Sequence, residues 1–321
     1  MTPTRLIAFI LACLLTTACV SNIQRHPAKT INEAAHSGGS TLSFSNNSNI
    51  SASGGWSGNI RLWQMPDGSH IRKWKAHTGS VNGILFLQGD EKLISGGYDG
   101  RIVEWNIDGT EIRSITTPSP IRHLIANEKH DHILTGHEDG VVRQWRLSDF
   151  KQIHKTAKHS GAIRAVAAHY ASNWMASSGD DGEVWIWNQD QEPKRLTDPG
   201  SDARTLVFAP DGKHLYGGAW FHLYRWSIPD GKMELLKTDH AGIINEIRFG
   251  PEGDYLASIS RQTDSAVLFL NPDNGQTVKH FQKHELCGVA IAVSPNGRYI
   301  STTSDDASVR FYDLEQQVGG E

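Results

Sequence analysis

Along the chain, short apolar-rich runs recur, each closing on a bulky side chain: 60–63 (IRLW), 102–105 (IVEW), 142–145 (VRQW), 184–187 (VWIW), 223–226 (LYRW), 267–270 (VLFL) and 309–312 (VRFY). Their last residues are spaced by 42, 40, 42, 39, 44 and 42 positions, a mean of 41.5. Runs of β-branched and aromatic residues bounded by turn residues are strand signals, and a fixed period of this length marks a repeat architecture. Ahead of each run lies a second strand ending in small residues, as in 93–97 (LISGG), 133–137 (ILTGH), 215–218 (LYGG) and 300–304 (ISTTS). Polar turns flank the pair: 209–212 (APDG), 250–253 (GPEG) and 294–297 (SPNG) before it, 65–68 (MPDG) and 228–231 (IPDG) after it. Three turns per unit delimit four short strands.

Seven units of four antiparallel strands describe an all-β fold, a seven-bladed β-propeller. The seventh unit ends soon after its third strand, at 313–318, which leaves a sheet edge unpaired, a liability that folded proteins avoid. The segment 28–35 precedes His36 as 71–76 precedes His77, so it is expected to supply the missing strand and close the ring. The propeller is expected to span 28–318.

Within three units a His, a hydroxyl, an Asp and an aromatic recur in one order: His77, Ser95, Asp99, Trp105; His159, Ser177, Asp181, Trp187; and His284, Thr302, Asp306, Tyr312. In each, the Asp lies four residues beyond the hydroxyl and six before the aromatic. Units so built resemble tryptophan-aspartate (WD) repeats, over essentially the whole of 28–318. The resemblance implies that each set is hydrogen-bonded and braces its blade, and that the protein binds partners rather than performing chemistry. Departures are legible too. The His36 unit has Ser57 where Asp is expected, and the Asp139 unit keeps Thr135 and Trp145 but lacks the His. The Trp226 unit has neither His nor Asp, and the His240 unit carries an insertion at 261–264.

Composition changes the picture in two places. The 31 basic and 35 acidic side chains give a formal charge of −4, so no wholesale basic surface exists to neutralise a nucleic-acid backbone, and no nucleic-acid partner is expected. The N-terminus, MTPTRLIAFILACLLTTAC, has a short segment carrying Arg5, an apolar run over 6–15 and small residues 16–18 before Cys19. It reads as a secretory signal peptide over 1–18. A Cys after the small residues resembles the lipobox of bacterial lipoproteins, which implies acylation of Cys19, a lipidated tether over 19–27 and a membrane contact through that lipid. Thr16 stands where that box most often has Leu. The alternatives are an ordinary signal peptide with an incidental Cys, or an uncleaved anchor. Val20 at the second mature position implies, through the same resemblance, the outer membrane facing the periplasm. Cys13 would leave with the signal, so Cys287 would remain as a lone thiol, read as a packed residue.

Ser95, His77 and Asp99 contain the elements of a hydrolase triad, but the constellation recurs in separate blades, whereas an enzyme needs one nucleophile in one pocket. No catalytic residue, cofactor or metal is therefore expected. His130, His132 and His137 form a local group with no Cys or compact acidic set to complete a metal site. Trp74, Trp174 and Trp185 read as packing residues.

Two aligned columns reach the face that carries the loops before the first strand and after the second. The first reads Ser40, Asn82, Arg122, Arg164, Arg204, Asn245 and Val289; the second reads Trp56, Tyr98, Glu138, Asp180, Ala219, Thr263 and Asp305. An arc of Arg122, Arg164 and Arg204, able to bind carboxylates or carbonyls, beside Trp56 and Tyr98 as anchors, makes a candidate partner-binding surface. The competing reading pairs Glu138 and Asp180 with those arginines and leaves a neutralised rim. The expectation is a monomeric, noncatalytic platform for a protein or peptide partner, lipid-anchored in the bacterial envelope. Alternatives are an accessory of outer-membrane protein assembly and a propeller enzyme of the lactonase or quinone-dependent dehydrogenase type.

Overall fold

The computed structural model describes residues 24–127, 131–188, 191–196, 200 and 202–315. The expected signal peptide, Cys19 with the first residues of its tether, His130 and the expected domain end at 318 lie outside the described residues. The strands form seven four-stranded antiparallel sheets. Blade one comprises Gly39–Phe44, Ile50–Gly55, Asn59–Gln64 and Ser69–Lys75, ordered from the channel outward. Blades two to six follow in 81–116, 121–157, 163–195, 205–237 and 243–280.

Blade seven takes three strands from 288–313 and its outermost from Thr30–Asn32, which pairs antiparallel with Val309–Asp313 in the register Thr30↔Phe311, Ile31↔Arg310, Asn32↔Val309. The ring thus closes by joining the two ends of the chain. Asp313 holds this seam: its carboxylate accepts from Lys29 Nζ at 3.0 Å and from Arg298 Nε and Nη2 at 3.0 and 3.1 Å. The Arg298 hydrogen bonds come first among the causes that hold its carboxyl down at about 2, with Lys29 adding to them against the penalty of burial.

One boundary moves. His26, expected within the tether, is buried at 2% exposure. Its backbone N–H donates to the His280 carbonyl at 2.8 Å, its ring bonds the Asp313 carbonyl at 2.8 Å, and it meets Phe281 edge-on. The docked body therefore begins at His26 rather than at residue 28, and latches blade six to blade seven.

No blade buries its faces alone. Ile60, Leu62 and Ala76 of blade one share a cluster with Leu93, Val103 and Trp105 of blade two, and Phe269 and Phe281 of blade six share one with Ile300 and Tyr312 of blade seven. Fully burying one such side chain stabilises by about 1.5–3 kcal/mol, so the seams hold the ring shut.

Candidate functional site

The braces have a directional logic. In blade two, Trp105 Nε1–H donates to Ser95 Oγ at 2.8 Å, the Ser95 hydroxyl donates to His77 Nε2 at 2.7 Å, and His77 Nδ1–H donates to Asp99 Oδ1 at 2.9 Å. An ionised carboxylate only accepts, so Asp99 fixes the tautomer and orders the whole relay. Asp99 also accepts from the Thr78 and Arg101 backbone N–H groups. Burial pushes its carboxyl up, but the His77 hydrogen bond and these amides bring it down to about 2. Ser95 is fully buried, which removes it from any substrate's reach. The His159 and His284 sets repeat the His contacts, at 2.9 Å to Asp181 and Asp306 and 2.8 Å to Ser177 and Thr302.

Their aromatic ends differ from expectation. Trp187 Nε1 is buried without a hydrogen-bond partner among the described residues, and the Tyr312 hydroxyl donates to the Gln282 carbonyl at 2.7 Å. Burial pushes the Tyr312 phenol up to about 12.

The divergent blades solve the same problem with other residues. Blade three has Thr117 at the usual His position, and His137 swings in from the second strand: its Nδ1–H donates to the Ser119 carbonyl at 2.9 Å and its Nε2 accepts from Thr135 at 2.7 Å. Trp145 completes the relay at 2.7 Å. His137 is thus a brace, and among the described residues no three His, Cys, Asp or Glu side chains form a metal-binding group. In blade six the insertion restores the acid: Asp264 Oδ2 lies 3.4 Å from His240 Nδ1, an ion-pair distance without hydrogen-bond alignment, and accepts from the Ala241 backbone at 2.8 Å. Trp74 packs against Trp105 at 6.0 Å, Trp174 against the blade four–five core, and Trp185 Nε1–H donates to Glu183 at 2.9 Å.

The first aligned column converges on the channel mouth. A cavity of about 430 Å³ is lined by all seven of its members, Ser40, Asn82, Arg122, Arg164, Arg204, Asn245 and Val289, together with Tyr98 and Arg261. The cause is local. In six blades the innermost strand slips register around the column residue, as between Val81 and Gly83, Ile121 and His123, or Ile163 and Ala165. A bulge leaves one residue out of the ladder and re-aims its side chain, here into the mouth.

These residues divide by task. Ser40 donates to Asn82 Oδ1 at 3.2 Å, Asn82 to the Ile121 carbonyl at 2.7 Å and Asn245 to the Val289 carbonyl at 2.6 Å, so the neutral members tie each blade to the next. The arginines face acids instead of carbonyls or amides. Arg122 lies 3.3 Å from Glu138, and Arg164 Nε lies 2.6 Å from Asp180 Oδ1 without hydrogen-bond alignment and 3.9 Å by Nη2 from Asp202. Arg261, which falls outside the aligned columns because it opens the insertion, lies 3.7 Å from Asp305. Arg204 makes no ion pair among the described residues. Burial, then the like charges of Arg164 and Arg261, pull its pKa below the ordinary value, against the pull of Asp202 and Asp180. It stays cationic near neutrality.

The aromatics spread around the same face. Tyr98 lines the mouth at 41% exposure; Trp56, at 52%, lies outside it with its ring over Gly38, where a Cβ would come within 2.6 Å of the indole. Trp220 and Phe221, ring to ring at 5.4 Å and also exposed, add a pair beyond Ala219. The signal was the WF following 215–218 (LYGG), hidden because alignment stopped at the alanine.

Comparison with known proteins agrees with this geometry. The WD domain, G-beta repeat family matches residues 19–64, 68–106, 150–188 and 275–313, just over half of the chain. The unmatched stretches hold blades three, five and six, where the brace is rebuilt or missing. Human echinoderm microtubule-associated protein-like 4 is 25% identical over 252 residues, covering 75% of this chain and 25% of the relative. Rat telomerase protein component 1 is 29% identical over 173 residues, covering 50% and 6%. Nuclear distribution protein nudF of Emericella nidulans is 23% identical over 282 residues, covering 83% and 57%. The chain thus spans about a quarter of the length of the human relative it matches. On the repeat period, the buried relays and these matches together, the chain belongs to the WD-repeat family.

Proposed function

We propose that the protein is a noncatalytic interaction platform whose channel mouth receives a carboxylate-bearing segment of a protein partner. Arg204 carries this reading: a guanidinium in a concave mouth, flanked by two more, with no ion pair among the described residues. A carboxylate can take both of its N–H donors at once, a geometry Arg favours. Tyr98 at the mouth, and Trp56, Trp220 and Phe221 around it, are residue types that dominate binding energy at interfaces. Arg122 and Arg164, each near an acid, define the rim, and the neutralised-rim reading applies to them. The relatives are named for microtubules, telomerase and nuclear distribution, three different settings, so likeness supports the platform and names no partner.

We also propose that Cys19 is acylated and holds the propeller at a bacterial membrane, the outer membrane facing the periplasm by the Val20 argument. With His26 docked, at most a few extended residues separate the lipid from the body, at about 3.3–3.6 Å each, so the ring stays near the bilayer. Palmitate labelling of the wild type and its loss in Cys19→Ala test the anchor. For the platform, Arg164→Glu and Arg204→Glu are expected to abolish recovery of crosslinked partners while the circular dichroism spectrum is retained. Unchanged recovery would remove the arc from the function.

A further inference from the structure

Below the mouth the ring is hollow, and its inner wall changes character by level. In three blades the residue after the mouth position turns toward the next blade. His123 Nδ1 accepts from the Val166 backbone N–H at 2.9 Å, Thr205 Oγ1 from that of Ile247 at 3.4 Å and Glu246 Oε2 from that of Ile291 at 2.7 Å. Each of these amides lies beside the bulge of its own innermost strand, so the side chains are spent on the backbone that the bulges free. This level offers a ligand no free charge. Burial, then Arg248, pushes the His123 ring down to about 3, and Glu246 is ion-paired with Arg248.

Two residues further along the strands the wall turns apolar. Leu85, Ile125 and Val207 stand three positions beyond Asn82, Arg122 and Arg204, and with Phe249 and Val293 they line a second cavity of about 470 Å³. All five are half-buried, facing the hollow. The two cavities meet at Thr41 and His123, which line both. A strand rise of about 3.3 Å per residue sets Val207 roughly 10 Å along the wall from Arg204. The channel is therefore cationic at its mouth, neutral at its waist and apolar in its bore.

We propose that the mouth takes the free C-terminus of a partner chain whose last residue is apolar. This rests on the platform reading and says which carboxylate Arg204 binds. A terminal residue carries carboxylate and side chain on one carbon, so the carboxylate can meet Arg204 on the wall while the side chain descends toward Leu85, Ile125 and Val207. The carboxylate of an internal Asp or Glu is itself the side-chain tip and leaves nothing to fill the bore, whose apolar wall gains by losing water. The residues before the terminus rise past Tyr98 onto the exposed pair Trp220 and Phe221. That pair follows directly on Arg204's wall, where the Arg204 backbone N–H donates to the Gly218 carbonyl at 2.8 Å. A free fatty acid would fill the bore and leave these aromatics unused.

The test is retention, by the purified full chain, of short peptides randomised upstream and ending in Leu or Phe, made once as free acids and once as amides. Free acids are expected to be retained at least about tenfold over amides, and over free acids ending in Gly. Val207→Phe narrows the bore and is expected to cancel the advantage of Leu over Gly while keeping that of acid over amide. Leu85→Phe repeats this from another blade, should the first variant lose its circular dichroism spectrum. Arg204→Glu is expected to remove retention. Equal retention of acids and amides through Arg204, or an unchanged advantage of Leu over Gly in the plugged variants, would overturn the terminus and leave the platform standing. Retention undiminished in Arg204→Glu would overturn both. If no free acid is retained the proposal also falls, and a rise in melting temperature with decanoate would then assign the bore to a small amphiphile.

Discussion

Blades one and two are built on one plan and differ in one acid. Both place a His Nε2 on a Ser hydroxyl, at 2.8 Å for His36 and Ser53 and 2.7 Å for His77 and Ser95, and both receive a Trp N–H at 2.8 Å. In blade two Asp99 closes the relay. In blade one Ser57 stands there, and His36 Nδ1 is left buried and without a hydrogen-bond partner among the described residues. Burial, then Arg61 and Lys73, push the His36 ring down to about 4. The acid is therefore the member that makes the relay complete; the other three assemble without it.

The difference can be tested from both sides. Asp99→Ala carries the largest expected effect, because it orphans His77 Nδ1 and two backbone N–H groups: about 2–4 kcal/mol lost in urea unfolding. Asp313→Ala comes next. It leaves the carboxylate's partners half-exposed and able to reach water, so about 1–2 kcal/mol is expected, with faster amide exchange confined to 30–32 and 309–313.

Ser57→Asp runs the comparison in reverse. It supplies the missing acceptor, so about 1 kcal/mol is gained and the His36 resonance titrates nearer its ordinary pH. The same contrast sets an acid limit. His36 and His137 titrate at about 4 when folded against an ordinary 6.5, and His123 at about 3, burial being the first cause in each. Between those values the unfolded chain binds protons the native ring refuses. Stability is therefore lost as pH falls from about 6.5 to 4, and Ser57→Asp reduces that slope. Arg204→Glu is expected to change unfolding least, within about 0.5 kcal/mol, because no ion pair among the described residues depends on it.

The fold was legible because strand runs, turn residues and small strand ends are local signals repeated seven times, and closure followed from one unpaired edge. The mouth column was legible because position within a repeat is a spatial address. What escaped was substitution in space. His137 does the work of the usual His from twenty residues beyond that position, Thr117, and Asp264 restores an acid through an insertion that shifts register; neither keeps the repeat's spacing. Trp187 keeps the spacing and loses the bond, which only side-chain orientation reveals. Arg261 enters the mouth as the first residue of that insertion.

The central claim is that the relays are spent inside the blades and recognition is left to the mouth. The most direct measurement is site-specific photo-crosslinking in the native host, with a photoreactive phenylalanine at Tyr98 in the mouth or at Ile112 on the outer wall. A discrete protein adduct from position 98, lost in Arg204→Glu and absent from position 112, is the expected result. Adducts from the wall alone, or adducts from the mouth that survive Arg204→Glu, would contradict it.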